Sequence, residues 1–131
     1  MISLDTNLLV RILVADDPAQ TRRAAGVLDR LDSTAERAHV SEIVLCEVVW
    51  VLGSAYGHPR ERIATALRSL AAARQLTFDS PDRVIRAISA FERGKGDFAD
   101  YLIREHARAA GCESVLTFDK VLLREDGFAA P

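Results

Sequence analysis

Short apolar runs alternate along the chain with longer stretches in which apolar positions recur at helical spacing. Ile2-Ser3-Leu4 reads as a buried strand ending at Asp5, and Leu8 to Val14 as a short helix stopped by Asp16-Asp17-Pro18. Pro18 suits the first turn of a second helix, which carries Ala24, Ala25, Leu28 and Leu31 on one face. Ala38-His39-Val40 reads as a second strand. Ser41 is placed to cap an apolar helix from Glu42 to Leu52 that runs out around Gly53 and Gly57. Pro59 opens another helix, with Ile63, Leu67 and Leu70 on one face, and Leu76-Thr77-Phe78 reads as a third strand. Ser80-Pro81 precedes the stripe Val84, Ile85, Ile88 and Phe91. Gly94-Lys95-Gly96 breaks that helix. Asp97 starts the next, whose apolar face runs through Ala99, Leu102, Ile103 and Ala107 to a stop at Gly111. Ser114 to Phe118 is a last strand ending at Asp119. Strands alternating with amphipathic helices predict an α/β fold with a parallel sheet covered on both faces.

The chain's 131 residues suit one domain, expected to span residues 1–131. A hydrophobic share of 49% and a charged share of 27% exclude disorder. The net charge of −2 gives no global basic field, so any nucleic-acid affinity has to be local. Cys46 and Cys112 are too few for a disulfide framework and read as buried free thiols. The N-terminus lacks the basic-then-apolar pattern of a leader, and Ile43 to Leu52 is too short for a bilayer. No membrane role and a cytoplasmic location are expected.

Several acids occupy unusual places. Asp5 and Asp119 each follow an apolar strand, and open α/β folds bind ligands at the carboxyl ends of their strands. Glu47 sits among Val44, Leu45, Cys46, Val48, Val49 and Trp50, so the helix carrying it looks apolar all round and therefore buried. A carboxylate there needs a cationic partner, a proton or a metal. Asp97 and Asp100, three apart in a first helical turn, can meet one ligand. Each acid also has a plain structural role open to it. Asp97 suits a helix cap, Asp100 can pair with Arg104, and Asp5 and Asp119 suit strand-end turns. As a set without Cys or His, the acids would select a hard cation, Mg²⁺ or Mn²⁺ rather than zinc.

Four segments in order resemble the PIN-domain nucleases, and most of all the VapC toxins of bacterial toxin–antitoxin pairs. They are Met1-Ile-Ser-Leu-Asp-Thr-Asn-Leu-Leu9, Ser41-Glu-Ile-Val-Leu-Cys-Glu-Val-Val-Trp50, Asp97-Phe-Ala-Asp-Tyr-Leu-Ile103 and Leu116-Thr-Phe-Asp119. The resemblance implies a three-layer α/β/α sandwich around a central parallel sheet, and Mg²⁺-dependent hydrolysis of RNA. It matches Asp5, Glu47, Asp100 and Asp119 to the family's four acids, and Asp97 to an acid found in many relatives. Thr117 matches a hydroxyl residue lining the site, and Asn7 is expected to support Asp5 by hydrogen bonding or to cap a helix. Asp5, Asp100 and Asp119 would hold metal and Glu47 would orient a metal-bound water or complete the shell, leaving 5′-phosphate and 3′-hydroxyl ends. A homodimer and a VapB-like antitoxin that blocks the pocket with an arginine are also implied.

RNA would need cations near these acids. All but two of the 17 basic residues are arginine, which suits bidentate phosphate contacts, and most fall on solvated helix faces. Lys95, Lys120, Arg93 and Arg104 lie nearest the acids in sequence. Trp50 reads as core or a dimer contact, and the three histidines as core or surface residues. A haloacid-dehalogenase-type phosphatase would want an Asp where Asn7 stands. A phosphoacceptor receiver domain would want paired acids earlier than Asp16-Asp17. Within the PIN class, an RNA-processing nuclease that is not a toxin, or an inactive binding module, are the alternatives.

Overall fold

The computed structural model describes all residues, Met1–Pro131. In chain order they form β1 (Ile2–Ser3), α1 (Thr6–Leu13), α2 (Pro18–Thr34), β2 (Ala38–His39), α3 (Glu42–Ser54), α4 (Arg60–Ala72), β3 (Leu76–Thr77), α5 (Pro81–Arg93), α6 (Phe98–Ala109), β4 (Val115–Leu116) and β5 (Phe128–Ala129). A 3-10 turn, Leu122–Arg124, precedes β5. Two compact units divide the chain, Met1–Pro81 and Asp82–Pro131.

In the first unit β1, β2 and β3 lie side by side in that order, all parallel, with Ile2 opposite Ala38 and Ala38 opposite Leu76. The α/β reading therefore holds, with short strands separated by helical crossovers. Asp5 caps α1 and Asp17 caps α2, each carboxylate accepting the N–H three residues on. That extends α1 two residues earlier than the apolar spacing suggests. Helix α1 packs on α2 and α3, and α3 on α4. Leu9, Val40, Leu45, Val48, Leu52 and Leu67 fill the interior. Ala35 ends α2 in the left-handed region at φ 57°, its N–H reaching the carbonyls of Leu31 and Asp32. A Cβ at that φ is strained.

Two expectations fail here. The β1 strand is an edge, with Ile2 51% exposed and only Leu4 buried behind it. Helix α3 is not buried all round, since Ile43, Glu47 and Trp50 share one open face, the two apolar residues 73% and 71% exposed. An apolar circumference thus does not mark burial on every side, because Leu45, Val48 and Leu52 alone anchor the helix. Trp50 accordingly packs in no core.

In the second unit α5 and α6 bury Val84, Ile88, Phe91, Phe98, Tyr101 and Leu102, with Phe91 and Phe98 meeting edge to face at 6.2 Å. The β4 strand pairs in parallel with β5, Val115 opposite Phe128. The last strand is shorter than Ser114 to Phe118, and Phe118 is 88% exposed. Nothing in the apolar spacing marks β5, which begins only after Gly127 turns the chain at φ 87°. Glu105 is buried, with Arg108 Nη1 at 3.2 Å and Arg86 Nε at 3.5 Å neutralising it. Cys46 is half-buried and Cys112 exposed, both free, so the second thiol departs from the buried reading. No helix is long and apolar enough to cross a membrane.

Candidate acidic site

In the first unit the junction of β1 and α1 sets two acids. Asp5 is the N-cap of α1, in extended backbone, and its Oδ1 accepts the N–H of Leu8 at 3.0 Å. Its side chain stands at the positive end of the helix, where an anion is favoured. The next residue, Thr6, is buried and donates its hydroxyl to Glu47 Oε2 at 2.5 Å. Packing of α1 on α3 makes that bond possible. Glu47 is exposed, which removes the argument that burial forces a ligand on it. Asn7 is exposed and makes no hydrogen bond to Asp5, which supplies the cap itself. The supporting residue is Thr6, which in the sequence is only a spacer between Asp5 and Asn7.

In the second unit, Asp97 is the N-cap of α6 and its backbone N–H donates to Asp100 Oδ2 at 3.0 Å. Asp119 follows β4. Its N–H donates to Thr117 Oγ1 at 3.0 Å, and its Oδ1 accepts the N–H of Val121 at 2.8 Å. Thr117 thus anchors the acid from two residues away. Burial pushes the Asp100 carboxyl above its ordinary range, and the charges of Asp97, Asp119 and Glu125 add to the shift. The Asp97 N–H works in the opposite direction.

Glu125 is the member that spacing does not reveal. Both of its carboxylate oxygens lie 2.7 Å from the fully buried Tyr101 hydroxyl, which accepts the N–H of Gly96 at 2.9 Å. Gly94 lies against the same pair, and a Cβ there would overlap Tyr101 Oη and Glu125 Oε1. The signal available in the sequence is Gly94-Lys95-Gly96, which by itself marks only a helix break.

Lys95 and Lys120 are exposed in this unit. Arg104, expected to face RNA, is buried instead. Its guanidinium lies 5.1 Å from the Tyr101 ring centre and 5.7 Å from that of Phe128, and Nη1 donates to the Asp126 carbonyl at 2.9 Å. It makes no bond to Asp100, and its Nε is buried without a hydrogen-bond partner. His39 bonds Asp79 at 2.9 Å and His58 lies beside Tyr56, so neither histidine joins the acids.

No three His, Cys, Asp or Glu side chains converge as a ready set of metal ligands. The donor chemistry nonetheless fits a hard cation. Asp97, Asp100, Asp119 and Glu125 offer only oxygen, and the charges of the other three add to the burial that raises Asp100. Acids at the helix caps and strand ends of an α/β scaffold are an arrangement on which a hydrolase can be built. More narrowly, residues 2–127 match the PIN domain, and the chain belongs to that family. PIN domains are generally nucleases and typically use divalent ions. Six helices with parallel strands accord with the family's three-layer α/β/α architecture. No curated protein matches the chain.

Proposed function

We propose that the protein is a Mg²⁺-dependent endoribonuclease acting as the toxin of a toxin–antitoxin pair in the cytoplasm. The observation that carries the nuclease reading is the match of residues 2–127 to a nuclease family, on a chain whose Asp100 carboxyl is raised by burial with the charges of Asp97, Asp119 and Glu125 adding to it. The order of its four acidic segments supports the toxin reading.

In this reading Asp5, Asp100 and Asp119 hold Mg²⁺ (or Mn²⁺), and Glu47 orients the attacking water. When bound, the cation lowers the pKa of water and neutralises charge on the phosphodiester. The chain's own groups prepare the acids for this. Thr6 fixes one oxygen of Glu47, the Asp97 N–H favours the ionised form of Asp100, the Val121 N–H fixes the Asp119 carboxylate, and Thr117 holds the Asp119 backbone N–H. A cognate antitoxin and a homodimer complete the proposal, and the open α3 face around Ile43 and Trp50 supports the second.

The test is cleavage of labelled structured RNA by the purified protein, by Asp5→Asn and by Asp100→Asn, with Mg²⁺ or with EDTA. Asn caps a helix as well as Asp does, so Asp5→Asn keeps α1 while removing the charge. Each variant should cut at least about 100-fold more slowly, a larger loss than outer-sphere partners of a metal give. Equal cleavage by all three in EDTA would sink the metal mechanism. Growth arrest on induction, lost in Asp5→Asn, tests the toxin role.

A further inference from the structure

A cleft of about 480 Å³ opens in the second unit, lined by Arg93, Gly94, Lys95, Lys120, Val121, Arg124 and Glu125. Two walls face one another, the turn between α5 and α6 and the segment from Lys120 into the 3-10 turn. Four cations line it on a chain whose net charge is −2. None of the four is in an ion pair. All four are exposed, so their charge is presented rather than spent inside the fold. The only acid in the lining, Glu125, accepts from the hydroxyl of the buried Tyr101 through both oxygens and so is tied to the core.

We propose that this cleft is an anion subsite for the ribose-phosphate backbone of single-stranded RNA, holding phosphates that flank the one to be cut. The inference rests on the nuclease reading and extends it from the acids to the strand that must lie beside them. Location favours it. Lys120 follows Asp119 directly, Lys95 precedes Asp97 by two residues, and the charge of Glu125 in the lining acts on Asp100. Chemistry favours it too. Arg93 and Arg124 offer planar forks for phosphate oxygens, Lys95 and Lys120 offer mobile point charges, and Val121 offers an apolar patch for a ribose. No lining side chain is an amide or an aromatic ring, so the cleft offers charge for phosphates and no aromatic stacking platform. The subsite therefore contributes affinity and register through the backbone.

The test is binding of a fluorescein-labelled, mixed-sequence single-stranded RNA in EDTA, followed by anisotropy across a salt series. Lys95→Ala/Arg124→Ala removes one cation from each wall. Arg22→Ala/Arg37→Ala removes the same charge from exposed positions of the first unit and serves as the control. The cleft variant should bind at least about 10-fold more weakly, and its log K against log salt slope should flatten by roughly 1.4, about 0.7 for each phosphate no longer neutralised. The control should shift affinity less than about 3-fold, and both variants should keep the wild-type melting temperature. Equal weakening by the two variants overturns the subsite, as does an unchanged slope in the cleft variant. Displacement of RNA by an acidic peptide but not by unlabelled RNA overturns it in favour of an acidic protein partner. Because binding is read without metal, a wild type that binds through the cleft but never cuts would uphold the subsite while defeating the nuclease reading.

Discussion

Replacing Gly94 with alanine isolates a single steric contact. Gly94 does not occupy the left-handed region, so an added methyl group meets no backbone objection. What it meets is the Tyr101 hydroxyl, the Glu125 carboxylate and, at 2.9 Å, Tyr101 Cζ. The Tyr101 ring is fully buried and has nowhere to withdraw, whereas Glu125 is half-exposed and can swing to solvent. Relief by that route breaks a hydrogen bond to a charged group, worth about 1.5–3 kcal/mol, and leaves some overpacking, typically about 1–3 kcal/mol. We expect Gly94→Ala to cost about 2.5–6 kcal/mol in urea unfolding, which at roughly 4 °C per kcal/mol lowers Tm by about 10–24 °C. The decisive measurement is the same substitution in a Tyr101→Phe background. With the hydroxyl gone the methyl has more room, and its cost should fall by about 1–2 kcal/mol. A cost below about 1 kcal/mol in the wild type, or the same cost in both backgrounds, would refute the reasoning.

Thr6→Val keeps the shape of a buried side chain but frees Glu47, so RNA cleavage should drop about 10-fold with circular dichroism unchanged. A variant as active as wild type would show that Glu47 needs no tether. Ala35→Gly relieves the left-handed end of α2 and should raise stability by about 0.5–1 kcal/mol in urea titration; a drop in stability would contradict the strain. Hydrogen bonds from Gln75 and Arg74 hold the Asp32 carboxyl below its ordinary range. A pKa lowered on folding contributes stability above the unfolded value, near 3.9, and loses it as pH falls through the folded value. The Tm gap between wild type and Asp32→Asn should therefore be widest near pH 6 and close on acidification towards pH 2. A gap constant over that range would contradict the linkage.

Helices are legible because their signals are local. Asp17-Pro18, Ser41 and Asp97 each name a start that the backbone adopts, and amphipathic stripes such as Val84, Ile88 and Phe91 turn inward as spaced. The β5 strand is not legible, since two residues after a glycine carry no periodicity and its pairing partner lies 13 positions back in the register. Glu47 misleads for a related reason. Its neighbours are apolar on every side of α3, yet nothing in the sequence says which sides other helices cover. Among the site's supports, Thr117 can be found by its motif. Thr6 and Glu125 cannot, because each acts on a residue distant in sequence, Glu47 in one case and Tyr101 in the other. Arg104 looks like a partner for Asp100 at one helical turn, but the rings of Tyr101 and Phe128 draw it inward.

Asp5, Asp97 and Asp119 occupy backbone-shaping positions as well as acidic ones: two are N-caps and the third closes a turn onto Val121. Glu47 has no such duty, being held by a threonine rather than holding the chain. Loss of activity in a descendant lineage would therefore leave an uneven record. Positions 5, 97 and 119 would pass from aspartate to asparagine, which keeps the side-chain oxygen that shapes the backbone, while position 47 would drift without restriction. An inactive offshoot of this protein would carry its own history in that contrast, folded on amides where the proposed mechanism uses carboxylates.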